Sequence, residues 1–157
     1  MNTLLKPRVI AGIDPGYTGA IAFTVDNITY VLDMPLNTGS NGKNILNARA
    51  VAALFKTYGI TAVYIESVAS MPGQGVSSMF RFGECFGMLQ GIIAALELEL
   101  YFVTPGKWKA HAGAINKDKD YARTLAAHSY PELSPSLARK KDTGRADALL
   151  IMAYGQS

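Results

Sequence analysis

Three carboxylates stand where a folded chain has little structural use for them. Asp14 ends the apolar run inside RVIAGIDPGYTGAIAF (8–23), and Glu66 ends the apolar run of TAVYIE (61–66). Asp147 falls in TGRADALLIMAYG (143–155), on a helical face that is otherwise apolar through Ala146, Leu150 and Tyr154, with Ile151 alongside. Acids at such positions are rarely buried without a partner. If the three converge, they repel one another unless a divalent cation neutralises them, and an all-oxygen ligand set suits Mg²⁺, with Mn²⁺ as a substitute. Two such ions about 4 Å apart can activate a water and stabilise the leaving oxygen of a phosphodiester. Taken singly, each acid also has a structural reading: Asp14 could stabilise its turn, and Asp147 could be a partly exposed helix residue.

The charge distribution points the same way. The net charge is only +3, yet the stretch from Pro105 to Arg145 holds nine of the 15 Lys and Arg but only four of the 12 Asp and Glu. A solvated charged face is one reading of that segment. A polyanion-facing surface is the other, because clustered Lys and Arg gain affinity by neutralising phosphates. Lys107, Lys109, Lys117, Lys119 and Arg145 are its candidate phosphate contacts.

The bulk numbers exclude several classes. A chain of 157 residues with 49% hydrophobic content is expected to form one globular domain, residues 1–157, with a sizeable core. No apolar run approaches the roughly 18 residues needed to span a bilayer. MNTLLKPR at the start lacks a signal-peptide core, so a cytoplasmic location is expected. A single cysteine, Cys85, rules out an internal disulfide and any zinc site built from several thiolates.

The elements that must position the acids follow from periodicity and turn chemistry. Val9–Asp14, Ala20–Val25 and Thr29–Asp33 are β-rich runs joined by short links, which predicts an antiparallel meander. Asn37–Asn44 reads as a polar, Gly-rich loop. A helix is expected over Asn47–Tyr58, ending at Gly59, and then a fourth strand over Ala62–Glu66. A long helix is expected from Ser77 to Leu96, with Gly83, Gly87 and Gly91 along one face. Three glycines in register each cost about 1 kcal/mol in a helix interior. They imply close approach of another element: either the domain's own sheet or the same helix of a second copy. A strand over Leu100–Thr104 and helices over Tyr121–Ser129 and Ala146–Tyr154 complete an α/β pattern with mixed strand directions.

GIDPGYTGAIAF, then VYIES, then GRADALLIMAYG together resemble the RuvC-type Holliday-junction resolvases of the ribonuclease H-like superfamily, in their compact, bacteriophage-like form. The resemblance runs from about Arg8 to Gly155. It implies a mixed five-stranded sheet flanked by helices and a homodimer, here through the Ser77–Leu96 helix. It further implies Mg²⁺-dependent paired nicking of four-way DNA. Matched motif by motif, Asp14, Glu66 and Asp147 stand at the family's metal-binding acids. Lys109 and Lys119 resemble two lysines that hold the scissile phosphate and offset charge in the transition state, with plain phosphate steering as the simpler role for both.

Two positions depart from the pattern. The fourth acid usually lies three residues before the last aspartate, and here that residue is Gly144. Asp142 is the obvious substitute, although five residues of ideal helix place it about 140° round from Asp147. It reaches the site only if it precedes the helix, where it could instead serve as an N-cap. The aromatic that often follows the glutamate by three residues is replaced by Ala69. Met71, Met79, Phe80 or Phe82 could act as the apolar wedge instead, or could belong to the core or a dimer contact. Trp108 is read as a packing residue, and neither His111 nor His128 has a visible catalytic partner.

Other readings share parts of this pattern. A ribonuclease H-like nuclease acting on RNA–DNA hybrid would use the same acids. A non-catalytic junction-binding protein would result if loss of the fourth ligand disabled metal binding. An actin-like ATPase could use GIDPGYTG as a phosphate loop, but a two-domain nucleotide cleft needs a considerably longer chain.

Overall fold

The computed structural model describes residues 6–69 and 72–157. Strands β1 (Ile10–Asp14), β2 (Ala20–Val25) and β3 (Ile28–Asp33) form an antiparallel meander. Asp26 and Asn27 turn β2 into β3 with φ of 51° and 63°, the left-handed pair that matches the twist of a two-residue hairpin. Two further short strands, β4 (Leu36–Thr38) and β5 (Asn44–Leu46), pair with each other and lie outside the main sheet. Helix α1 (Ala48–Thr57) leads to strand β6 (Ala62–Glu66), helix α2 (Val76–Ala95) and strand β7 (Glu99–Val103). Helices α3 (Pro105–Ala112), α4 (Lys119–Ser129) and α5 (Thr143–Gln156) follow, with 3₁₀ turns between α4 and α5. The main sheet runs β3-β2-β1-β6-β7, and β1, β6 and β7 are parallel. The mixed five-stranded sheet flanked by helices is therefore present.

Three expectations need correction. The segment Asn37–Asn44 is not simply a loop, because its two ends pair as β4 and β5 and only Gly39–Lys43 forms the tip. Asn47 is not in the first helix but caps it, its side chain accepting from the Ala50 amide at 3.0 Å. Helix α3 was not expected at all. It begins on Pro105, whose missing amide costs nothing at a first helical position.

Side-chain alternation divides the sheet into two faces. Ala11, Ile13, Ile21, Phe23, Val63 and Ile65 pack with α1 and α2, which bury Val51, Phe55, Cys85, Leu89 and Ile93. Ala20, Ala22 and Val103 face the other way, toward Ala148, Leu149 and Met152 of α5 and Trp108 of α3. Gly12 makes that second layer possible. A Cβ there would lie 2.3 Å from the Met152 amide nitrogen and 2.5 Å from the Ala148 carbonyl oxygen. Helix α5 thus rests directly on the backbone of β1, beside Ala20, Ala22 and Thr24 of β2, the Thr24 hydroxyl lying 3.7 Å from Met152 Sδ.

The long helix resolves the question its glycines raised in one respect. Gly83, Gly87 and Gly91 are exposed, and a Cβ on any of them would meet nothing within 4 Å. The glycine face is not packed on the chain's own sheet.

Candidate active site

The period of two that builds the core also aims the acids. On β1, Asp14 shares the α5 side of the sheet with Gly12, and on β6, Glu66 shares it with Tyr64. Because Ile13 pairs with Ile65 across parallel strands, Asp14 and Glu66 come out side by side at the same sheet end. Asp147, in the second turn of α5, is delivered by the packing of Ala148 and Met152 onto Gly12. The turn after Asp14 is held from the α2 side. The Tyr17 hydroxyl donates to Glu84 Oε1 at 2.8 Å, and the Arg81 guanidinium sits 4.7 Å from the Tyr17 ring centre.

The three acids sense one another. Burial, then Asp147, then Glu66 push the Asp14 carboxyl up to about 8, with Lys119 opposing. Burial and Glu66 push Asp147 up to about 6, against Lys109 and Lys119. Burial raises Glu66 as well, while a hydrogen bond from Trp108 and the charge of Lys109 pull it back. Proton affinities raised by burial, and for Asp14 and Asp147 by neighbouring acids, mark carboxyls sharing a desolvated space. Among the described residues, however, no three His, Cys, Asp or Glu side chains already converge as a ligand set for one ion. The donor set fits a hard divalent cation, whose charge would offset the repulsion among these carboxylates.

The structure brings Asp14, Glu66, Asp147, Lys109 and Lys119 together, and it separates the other candidates from them. Asp142 is 2% exposed, and its carboxylate accepts from the Arg139 backbone amide at 2.9 Å and from the Arg139 guanidinium at 2.8 Å. Arg139 therefore holds Asp142 below the usual carboxylate range. Asp142 is not drawn into the acid cluster, nor does its side chain cap α5. It closes the 3₁₀ turn that precedes the helix. Arg145 donates twice to Asp33, at 2.7 and 2.8 Å, and once to the Ser136 carbonyl, so its guanidinium ties α5 to the end of β3. Lys107 is exposed, and Lys117 stands 5.3 Å from the Tyr121 ring centre.

Gly144 explains its own departure. A Cβ at this position would lie 2.6 Å from the Thr18 carbonyl oxygen and 3.2 Å from Asp14 Oδ2. No side chain fits there while the Asp14 turn keeps its place.

The wedge candidates also separate. Ala69, Met79 and Phe82 line a cleft of about 400 Å³ between the segment after β6 and the start of α2. Phe82 packs over Gly16 and stacks on Phe86. Phe80 is 73% exposed on the neighbouring face, beside the β4–β5 tip. Met71 lies outside the described residues.

One participant escaped the sequence reading. Trp108 is 1% exposed, as a packing residue should be, but its indole N–H donates to Glu66 Oε2 at 2.6 Å. Lys109 Nζ stands 5.4 Å from the same ring's centre. The only available signal was the Trp-Lys pair in the basic segment, and that pair names no partner on β6.

With this geometry in place, comparison with solved structures decides the fold. The RuvC of Thermus thermophilus in complex with a Holliday junction substrate superposes with a TM-score of 0.59, over 94% of this chain and 92% of that one, at 16% identity. The fold is that of the RuvC-type resolvases. A second Thermus thermophilus RuvC structure matches this RuvC-type fold at a TM-score of 0.60 and 13% identity, covering 94% of this chain and 95% of that one. The yeast mitochondrial Holliday junction resolvase Ydc2 matches at 0.50 and 15%, over 92% of this chain and 76% of that one. In sequence, the chloroplastic Holliday junction resolvase MOC1 of Chlamydomonas reinhardtii is 32% identical over 92 residues, 58% of this chain. That stretch is only 10% of the relative's length. No family model matches the sequence. Among the described residues, no helix is long and apolar enough to cross a membrane.

Proposed function

We propose that this RuvC-type chain is a Mg²⁺-dependent endonuclease that nicks four-way or branched DNA. The observation that carries the proposal is the shared space of Asp14, Glu66 and Asp147: burial raises all three carboxyls, Glu66 raises the other two and Asp147 raises Asp14, with Lys109 and Lys119 acting on them from the basic segment. Asp14, Glu66 and Asp147 would hold the metal, and Mn²⁺ is expected to substitute. Bound there, two divalent ions would lower the pKa of a water and stabilise the leaving oxygen of the phosphodiester. The remaining work belongs to the chain. Lys109 and Lys119 face the acids and would hold the scissile phosphate while offsetting charge that develops on its oxygens. The apolar layer of Trp108, Ala148 and Met152 beneath the acids excludes water from that side, which strengthens each of these interactions.

Substrate choice rests on the likeness to resolvases whose structures and names refer to Holliday junctions. A four-way junction presents two equivalent strands, so paired nicks call for two active sites. A dimer through the open glycine face of α2 would supply them. Phe80, exposed near the start of that helix, is one candidate, beside Met71, for a residue that enters the junction.

The test is nicking of end-labelled four-way junction, linear duplex and RNA–DNA hybrid with Mg²⁺ or EDTA. Symmetrical junction cleavage that EDTA abolishes is expected. Cleavage of the hybrid alone would replace this reading with a ribonuclease. Binding of the junction without cleavage would favour a non-catalytic junction protein, a reading to which the blocked Gly144 position and the engaged Asp142 lend some weight.

A further inference from the structure

We infer that Trp108 is a positioning residue for the metal-binding carboxylate of Glu66, fixing that side chain from below while its ring seats Lys109 beside it. The inference rests on the endonuclease reading above and adds a residue to the machinery.

The geometry begins in the sheet. Glu66 pairs with Val103 across β6 and β7, and the Ser67 amide donates to the Val103 carbonyl at 2.8 Å, so the two strand ends are locked in register. Helix α3 starts two residues after Val103, and its first turn places Trp108 under Glu66. An indole N–H can only donate, and a buried one needs an acceptor. Here that acceptor is Glu66 Oε2 at 2.6 Å, at the short end for such a bond, as expected when the acceptor is charged. One carboxylate oxygen is thereby held. Among the described residues Oε1 takes no hydrogen bond, which leaves it for the space shared with Asp14 and Asp147.

Orientation is the point of this arrangement. A glutamate has three side-chain torsions, and ordering it at the moment of metal binding would cost affinity. Groups that fix a metal ligand from behind are worth about 10–100-fold in metal affinity or activity when removed. Lys109 Nζ stands 5.4 Å from the centre of the same ring, so a single buried side chain contacts both a carboxylate and a lysine of the site.

Trp108 is the only tryptophan of the chain, which gives a readout independent of cleavage. Titrating Mg²⁺ or Mn²⁺ into the whole protein should shift Trp108 emission, with a midpoint equal to that for cleavage, and Asp14→Asn should remove the response. In Trp108→Phe, which keeps a ring but loses the donor, kcat is expected to fall and the Mg²⁺ half-saturation to rise, each by about 10–100-fold. KM for the junction should stay within about twofold, the split that marks lost positioning rather than lost binding. If that variant does not fold, replacing Trp108 by benzothienylalanine keeps the bicyclic shape and removes the N–H. Flat emission through saturating metal, or wild-type metal dependence and kcat in either variant, overturns the inference. Absence of cleavage by the wild type overturns the endonuclease reading instead, and the emission titration still decides the role of Trp108.

Discussion

Gly144 and Asp14 are in contact. The α-carbon of Gly144 packs against the Thr18–Gly19 backbone so closely that a Cβ would fall 3.2 Å from Asp14 Oδ2. The first turn of α5 and the turn that follows β1 are therefore fitted to each other. Adding an acid at position 144 would press both the Thr18 carbonyl and the carboxylate it was meant to assist.

Gly144→Asp is accordingly expected to reduce stability by roughly 1–3 kcal/mol, the usual cost of overpacking a tight contact, and to lower cleavage rather than raise it. Urea unfolding together with junction nicking would measure both. A more active Gly144→Asp protein with unchanged stability would show that the turn yields to a fourth ligand after all.

Asp14→Asn removes one member of a repelling cluster. Cleavage should fall more than about 100-fold, beyond the loss typical of a supporting residue, while junction binding in EDTA persists. The metal-free variant should also melt higher than the metal-free parent, by about 2–4 °C for each kcal/mol of repulsion relieved. Unchanged melting would mean that Asp14 is not destabilised by its neighbours.

The same repulsion sets a pH dependence. Asp14, pushed up to about 8, and Asp147, pushed up to about 6, bind protons more tightly in the fold than at the unfolded value of 3.8. Metal-free stability is therefore highest near the unfolded pKa and is lost as pH rises through 6 and then 8. Asp33 and Asp142 are shifted downward, so their contribution is present above the unfolded value and is lost in acid, outside this window. Chemical denaturation in EDTA between about pH 5 and pH 9 should show a falling slope that excess Mg²⁺ flattens.

Asp142 and Arg145 form the other electrostatic centre, and their ion pairs lead us to expect a structural role for it. Asp142→Ala strands the backbone amide of Arg139 and should cost about 1–3 kcal/mol, with cleavage by the folded fraction largely retained. A double-mutant cycle on Arg145 and Asp33 should give a coupling of up to about 1 kcal/mol, since Asp33 is largely solvent-exposed. Loss of cleavage in Asp142→Ala at undiminished stability would instead make it a metal ligand.

The open glycines of α2 can be tested without disturbing the core. Among the described residues Gly87→Ala meets nothing within 4 Å, so a monomer should gain up to about 1 kcal/mol from helix propensity. A dimer packed through this face should weaken instead. Sedimentation of Gly87→Ala and of Gly87→Glu separates the two outcomes, with the proposed dimer predicting dissociation by the glutamate.

Particular residues show what the chain makes legible. Asp14 and Glu66 could be read because each closes a strongly apolar run, and strand direction follows from such runs and their short turns. The β4–β5 pair escaped because each strand is three residues long, too short for a period of two to register. Helix α3 escaped because Pro105 and Gly106 mask a short helix with one buried residue. The Trp108–Glu66 bond and the clash at Gly144 arise between segments far apart in the chain. No local pattern encodes them, although both follow once β1, β6 and α5 are placed.

The placement of Asp147 carries a further consequence. Two of the three acids are in hand once β6 has formed, but the third arrives only with the last helix, which must settle on Gly12 of the first strand. Contacts of such long reach form late in folding. On the proposed reading, a fragment that lacks α5 is unable to cut DNA, so cleavage activity begins only when that helix has met the first strand.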